Sequence, residues 1–217
     1  LMKKTLNLVL TGVAAFALAT APAKSQGADP VVLMETTKGP IAIRVFRRFT
    51  PNTANNFLDL VSRGYYNGKT FHRVEGWLVQ GGCPYGNGRG NFVDPATGQV
   101  RYVPLEVSPR LGHGQPGMVA MARSANPDSA SCQFYILKQA KPSLNGQYAV
   151  FGMVVGGLNT VYSIGIGDRI ISAHVDEPVQ RNANSSSESR PQDNNGDKSS
   201  GSSSGGNAST SDTSSGF

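Results

Sequence analysis

The sequence predicts a mainly β domain of the barrel or sandwich class. Three observations lead there: short apolar segments recur between turn residues, helical periodicity is confined to two places, and glycine is abundant at 26 residues. The 217-residue chain, 38% of it hydrophobic, is long enough for one such domain with a filled core once its two atypical ends are set aside. Its many Val, Ile, Met and Phe residues suffice to fill a small barrel, which disfavours a hollow, ligand-carrying one.

Lys3 and Lys4 precede an apolar run from Leu6 to Ala19, and small residues follow, ending in Ala21-Pro22-Ala23. This is the pattern of a secretory signal with an Ala-x-Ala-type cleavage site, so the mature chain is expected to start near Lys24. The run falls short of the roughly 20 apolar residues that span a bilayer, so stable membrane insertion is not expected.

Residues 24–29 form a short linker, and the folded domain is expected over residues 30–178. It opens with Val31-Val32-Leu33-Met34-Glu35-Thr36, a turn at Thr37-Lys38-Gly39, and Ile41-Ala42-Ile43-Arg44-Val45-Phe46, whose alternating polarity marks a half-buried strand of a hairpin. A helix should follow, with Thr50 as its cap and Pro51 at its first position. Ala54, Phe57, Leu58 and Val61 then fall on one face before Gly64 ends it.

Further strands are expected at Thr70–Val74, Trp77–Val79, Pro104–Val107, Gly117–Ala122, Phe134–Leu137 and Val150–Val155. A short helix over Leu158–Ile164 and a closing strand over Ile170–Val175 complete the domain. Residues 179–217 turn to Ser, Gly, Asn and Asp; such a segment buries too little surface to offset its ordering entropy and is expected to be a disordered tail.

Several function classes are excluded or left without support. The net charge of +6 is modest and the basic residues are scattered, unlike the clustered footprint of a nucleic-acid binder, so no nucleic-acid partner is expected. His72, His113 and His174 lack ligand spacing, and the two cysteines stand far apart, so no metal site is expected. No nucleophile elbow surrounds any serine. The run Gly86-Asn87-Gly88-Arg89-Gly90 lacks the Lys-Ser/Thr of a phosphate-binding loop and reads as a surface loop. In an exported protein, Cys83 and Cys132 could form a disulfide or remain separate thiols; the sequence leaves both open.

Three ordered blocks carry a family resemblance. Phe71-His72-Arg73-Val74 followed by Gln80-Gly81-Gly82 is the first. Gly117-Met118-Val119-Ala120-Met121-Ala122 with Ser131-Cys132-Gln133-Phe134-Tyr135-Ile136 is the second, and Leu144-Asn145-Gly146 through Val150-Phe151-Gly152 is the third. Together they resemble the cyclophilin-type peptidyl-prolyl cis-trans isomerases over about Val31 to Val175. The resemblance implies a closed eight-stranded antiparallel barrel capped by two α-helices, with a peptide groove on its outer surface. It also implies isomerisation of X-Pro bonds in proline-containing polypeptides, with no cofactor, and with the signal it suggests a monomer assisting the folding of exported proteins in a periplasm or another lumen.

Carried over by motif, the resemblance makes Arg73 the catalytic arginine and Gln80 the glutamine that orients it. It places Trp77, Leu78, Tyr135 and Leu144 around a proline pocket with Tyr148 at the rim, and Ala122, Arg123 and Gln133 along the substrate backbone. This chain departs from typical members in several ways. The interval from Arg73 to Gln80 is one residue shorter. Trp77 stands for the usual Phe, Leu78 for Met, Tyr135 for Phe, Ser143 for Trp and Tyr148 for His. Arg123 and the block Asn126-Pro127-Asp128-Ser129-Ala130 resemble the bacterial branch. Strand alternation predicts that His72 faces away from Arg73, and His113, in a Gly-Pro-rich turn, receives no role.

Overall fold

A computed structural model describes residues 29–176; the signal segment and the Ser/Gly/Asn-rich tail lie outside the described residues. The chain order is β1 (Val31–Thr36), β2 (Gly39–Val45), α1 (Pro51–Ser62), β3 (Phe71–Glu75), β4 (Leu78–Gly81), β5 (Met118–Met121), β6 (Phe134–Leu137), β7 (Val150–Gly156), α2 (Leu158–Ser163) and β8 (Ile170–Asp176). All eight strands belong to one antiparallel sheet in the order β3-β4-β6-β5-β7-β2-β1-β8.

The sheet curls until its two outer strands meet. The last seam, between β3 and β8, is a short junction rather than a ladder: Thr70 bridges Arg169, the Phe71 amide donates to the Asp168 carbonyl at 2.8 Å, and the Ile170 amide donates to the Lys69 carbonyl at 2.8 Å. The result is a sheet curled into a half-barrel, in place of the fully closed barrel expected, with its two outer strands touching only at this junction.

The interior is packed by rings from every side. Phe57 of α1 lies 5.5 Å from Phe134 and 4.8 Å from Phe151, and Tyr66 lies 5.4 Å from Phe134, in edge-on or tilted contacts that aromatic quadrupoles favour. Ala54, Phe57, Leu58 and Val61 are buried as the helical period requires, and α1 packs against β7 and β8 while α2 packs against β2.

The cap of α1 differs from expectation. Thr50 occupies the N-cap position, yet its side chain makes no cap hydrogen bond; buried, its hydroxyl donates to the Val150 carbonyl at 3.3 Å. The free amides of the first turn are instead satisfied by Glu106, whose carboxylate accepts from Asn52 N–H at 3.2 Å and Thr53 N–H at 2.8 Å. A carboxylate beside a helix N-terminus also meets the positive end of the helix dipole.

That role explains a second difference. The segment Pro104–Val107 is a loop and not a strand. Pro104 has no N–H to give a ladder, Leu105 N–H donates to the Asp128 carboxylate at 2.9 Å, and Glu106 turns to α1; only Val103 pairs, as a single bridge to Ala130.

Candidate active site

Strands β4, β5 and β6 are buried on both faces, and the outward one builds a groove. Inward go Val79, Val119, Phe134 and Ile136, which join the central core. Outward go Leu78, Ala120, Tyr135 and Leu137, which form a second apolar cluster backed by Trp77, Ala122, Leu144 and Tyr148. A cavity of about 290 Å³ opens over this cluster. Nine of the ten predicted site residues line it: Arg73, Trp77, Leu78, Gln80, Ala122, Arg123, Tyr135, Leu144 and Tyr148. Gln133, the tenth, lines the adjoining polar cavity, which shares Gln80, Ala122 and Arg123 with the first.

Arg73 and Gln80 face each other across the β3–β4 hairpin, whose loop is the two residues Gly76 and Trp77. The shortened interval noted in the sequence is therefore a tight hairpin that keeps the two side chains in register. Arg73 Nη1 donates to Gln80 Oε1 at 3.1 Å, Gln80 Nε2 donates to Gln133 Oε1 at 3.0 Å, and Gln133 Nε2 donates to the carbonyls of Gly88 and Gly90 at 2.9 and 2.8 Å. Two backbone carbonyls thus fix the orientation of both amides, and through them the guanidinium. Its Nε donates to Glu75 Oε1 at 2.7 Å, Nη2 makes no hydrogen bond among the described residues, and the residue lines the groove.

The rest of the rim is equally determined. Arg123 donates from Nε and Nη2 to the Gln147 carbonyl at 3.0 and 2.8 Å and lies 4.6 Å from the Tyr148 ring centre, so a cation and an aromatic ring hold one wall together. Tyr135 packs edge-on to Tyr148 at 5.9 Å and to Trp77 at 6.5 Å. Its hydroxyl is turned out of the groove onto His113, and burial holds it protonated well above the usual tyrosine range.

His113 is the residue that sequence reading left without a role, and it is fully buried against the pocket floor. A glycine-rich turn gave no sign of this, because the contact joins segments 22 residues apart. His72 also differs from expectation. A bulge between Phe71 and Arg73 breaks the alternation of β3. The imidazole lies beside Gly88, on the loop whose carbonyl receives Gln133, rather than on the opposite side of the strand.

Cys83 and Cys132 are separate buried thiols that flank one residue. Gly90 N–H donates to Cys83 Sγ at 3.3 Å, and Cys132 Sγ lies 3.9 Å from the Gly90 carbonyl oxygen. Both help seat the 83–90 loop on which Gln133 is anchored. Gly82 makes the entry to that loop possible: its φ is +89°, and a Cβ there would lie 2.5 Å from the Cys132 carbonyl oxygen. Among the described residues no cluster of three or more His, Cys, Asp or Glu could hold a metal, and no helix is long and apolar enough to cross a membrane.

Residues 31–184 match the family model described as cyclophilin type peptidyl-prolyl cis-trans isomerase/CLD. The chain is 34% identical to the peptidyl-prolyl cis-trans isomerase CYP18-2 of Arabidopsis thaliana over 161 residues, covering 72% of this chain and 92% of that protein. It is 36% identical to peptidyl-prolyl cis-trans isomerase-like 1 of Mus musculus, over 63% of this chain and 80% of that one. A crystal structure of a cyclophilin type isomerase from Cryptosporidium parvum, obtained in the presence of the dipeptide Ala-Pro, superposes with a TM-score of 0.61 at 27% identity, covering 68% of this chain and 99% of that one.

Proposed function

The chain belongs to the cyclophilin-type peptidyl-prolyl cis-trans isomerase family, and from that premise we propose that Arg73 is its catalytic residue and that the apolar groove beside it seats the substrate proline. The observation that carries this reading is the guanidinium of Arg73, pinned by Gln80 and Glu75 at the lip of a cavity floored by Leu78 and Tyr135.

The amide C–N bond resists rotation by roughly 18–20 kcal/mol because resonance gives it double-bond character. Twisting localises the lone pair on the prolyl nitrogen and makes that atom a better hydrogen-bond acceptor. A donor already in place interacts more strongly with the twisted amide than with either planar one, which lowers the barrier. Arginine suits the task because it stays charged and keeps a rigid planar fork.

Trp77, Leu78, Tyr135 and Leu144 grip the proline ring and exclude water, with Tyr148 at the rim. Ala122, Arg123 and Gln133 hold the chain on the other side of the bond, so that only the intervening torsion moves. No residue in this scheme forms a covalent bond to the substrate.

We further propose that the enzyme works on exported polypeptides. Lys3, Lys4, the apolar run to Ala19 and Ala21-Pro22-Ala23 support export, and the bacterial likeness of Arg123 and residues 126–130 supports a periplasm. That likeness rests on those residues alone, because the relatives described above come from a plant, a mammal and a protozoan. N-terminal sequencing of the protein recovered from an exporting host should begin near Lys24.

The catalytic reading is tested by following isomerisation of a proline-containing peptide. Arg73→Ala is expected to lose about 100-fold or more in kcat/KM, the scale on which a preorganised transition-state donor acts. A rate equal to wild type removes Arg73 from the mechanism.

A further inference from the structure

Glu75 is the last residue of β3, directly opposite Leu78 and separated from it by Gly76 and Trp77. Alternation places its side chain on the same face as Arg73, and the tight loop swings Trp77 back toward it. Each carboxylate oxygen is used once. Oε1 accepts from Arg73 Nε at 2.7 Å, and Oε2 accepts from Trp77 Nε1 at 2.7 Å. The guanidinium and the indole also contact each other, 5.6 Å from cation to ring centre, and Lys141 lies 5.5 Å from the same ring.

An exposed ion pair of this kind contributes little to stability. Its geometry does something else. A guanidinium is planar, so acceptors on Nε and on Nη1 together fix its plane and leave the Nη2 donors uncommitted among the described residues. The same carboxylate holds the edge of the indole, which fixes the plane of a pocket wall that otherwise rides on a two-residue loop. Removing the carboxylate takes one of its two anchors from the guanidinium and the only hydrogen-bond acceptor from the indole N–H, loosening both side chains at once.

We infer that Glu75 is a positioning residue for the isomerisation, setting the orientation of Arg73 and of Trp77 through its two oxygens. The inference rests on the reading of Arg73 given above. The charged and titratable groups facing Glu75 are Arg73 on its own strand and Lys141 from the 138–145 segment, both cationic, and they act with the indole N–H to keep the carboxylate ionised below the ordinary range. Its contribution should therefore persist through neutral and mildly acidic pH and fade only where that carboxylate takes up a proton.

Two measurements on the full chain test this. Trp77 is the only tryptophan, so its fluorescence reports on the loop directly. Glu75→Gln keeps the size of the side chain but can accept only one of the two hydrogen bonds; Glu75→Ala accepts neither. In the proline-peptide assay Glu75→Ala should lose about tenfold in kcat/KM, the scale of a modest misplacement of a catalytic group, and Glu75→Gln less. The wild-type Trp77 emission should titrate at acid pH, and that titration should vanish in Glu75→Gln with its far-ultraviolet circular dichroism unchanged.

Wild-type kcat/KM in Glu75→Gln and Glu75→Ala, alongside an inactive Arg73→Ala, overturns the role of Glu75 and leaves that of Arg73 standing. Wild-type activity in Arg73→Ala overturns the underlying reading instead. Emission that titrates identically with and without the carboxylate also removes the link to Trp77.

Discussion

The Tyr135 hydroxyl donates to His113 Nε2 over 2.7 Å, beneath the groove and away from it. His113 Nδ1 lies 3.2 Å from Asn145 Oδ1, which also accepts the His113 backbone N–H at 2.8 Å, so the network places the imidazole proton on Nδ1 and leaves Nε2 as acceptor. A tyrosine can thus serve as an apolar pocket floor because its one polar atom is satisfied elsewhere.

That arrangement predicts a non-additive pair. His113→Leu strands the buried Tyr135 hydroxyl and should cost about 1–3 kcal/mol of stability with a rise in KM as the floor loosens. Tyr135→Phe should cost less, and adding it to His113→Leu should recover part of the loss, because no hydroxyl is then left unpaired. Urea unfolding of the four proteins measures the coupling; strictly additive losses would show that the hydrogen bond does not position the ring.

Mild acid should weaken the fold through two of its histidines. Burial pushes both His72 and His113 below the ordinary histidine value, with the Arg73 charge adding to the effect on His72. The unfolded chain then binds more protons than the folded one as pH falls below about 6.5, so stability is full above that value and declines toward the lower folded-state values. The urea midpoint should fall between pH 7.5 and 5.5, and less so in His113→Leu. A flat midpoint would contradict the burial argument.

Glu106 should act on α1 from a distance. Its carboxylate serves the Asn52 and Thr53 amides that the Thr50 side chain leaves alone. Glu106→Ala is expected to cost about 1 kcal/mol, the usual value of a helix cap, and to lower Tm by about 3 °C. Activity should be unaffected at temperatures where the variant is folded. Thermal unfolding by calorimetry checks the first expectation and the peptide assay the second.

Much of this molecule could be read along the chain. The β1–β2 hairpin, the buried face of α1 at Ala54, Phe57, Leu58 and Val61, and the strand at Phe134–Leu137 all follow from periods of 3.6 and 2 with turn residues between them. The site residues were reachable through three short blocks, and the structure brings nine of them to one cavity. Glu75, Glu106 and His113 were not reachable in this way. Each acts through one or two contacts whose geometry has no local pattern: a carboxylate reaching 53 residues back to α1, an imidazole under a ring 22 residues on, and a turn short enough to fold Trp77 onto Glu75.

The amino-acid sequence by itself determined the opening hairpin, the apolar segments that become β4, β5 and β6, and the place of Arg73 within a strand, since these are properties of near neighbours in the chain. It did not determine which buried face was core and which was groove: Phe134 and Tyr135 are adjacent, aromatic and both buried. Only the curling of the sheet decided that Phe134 joins the interior while Tyr135 floors the cavity, because the two faces of a strand differ in what long-range pairing sets against them. The pairing of β3 with β4 and of β4 with β6 likewise aligned the amide chain that ends on the Gly88 and Gly90 carbonyls and holds Arg73.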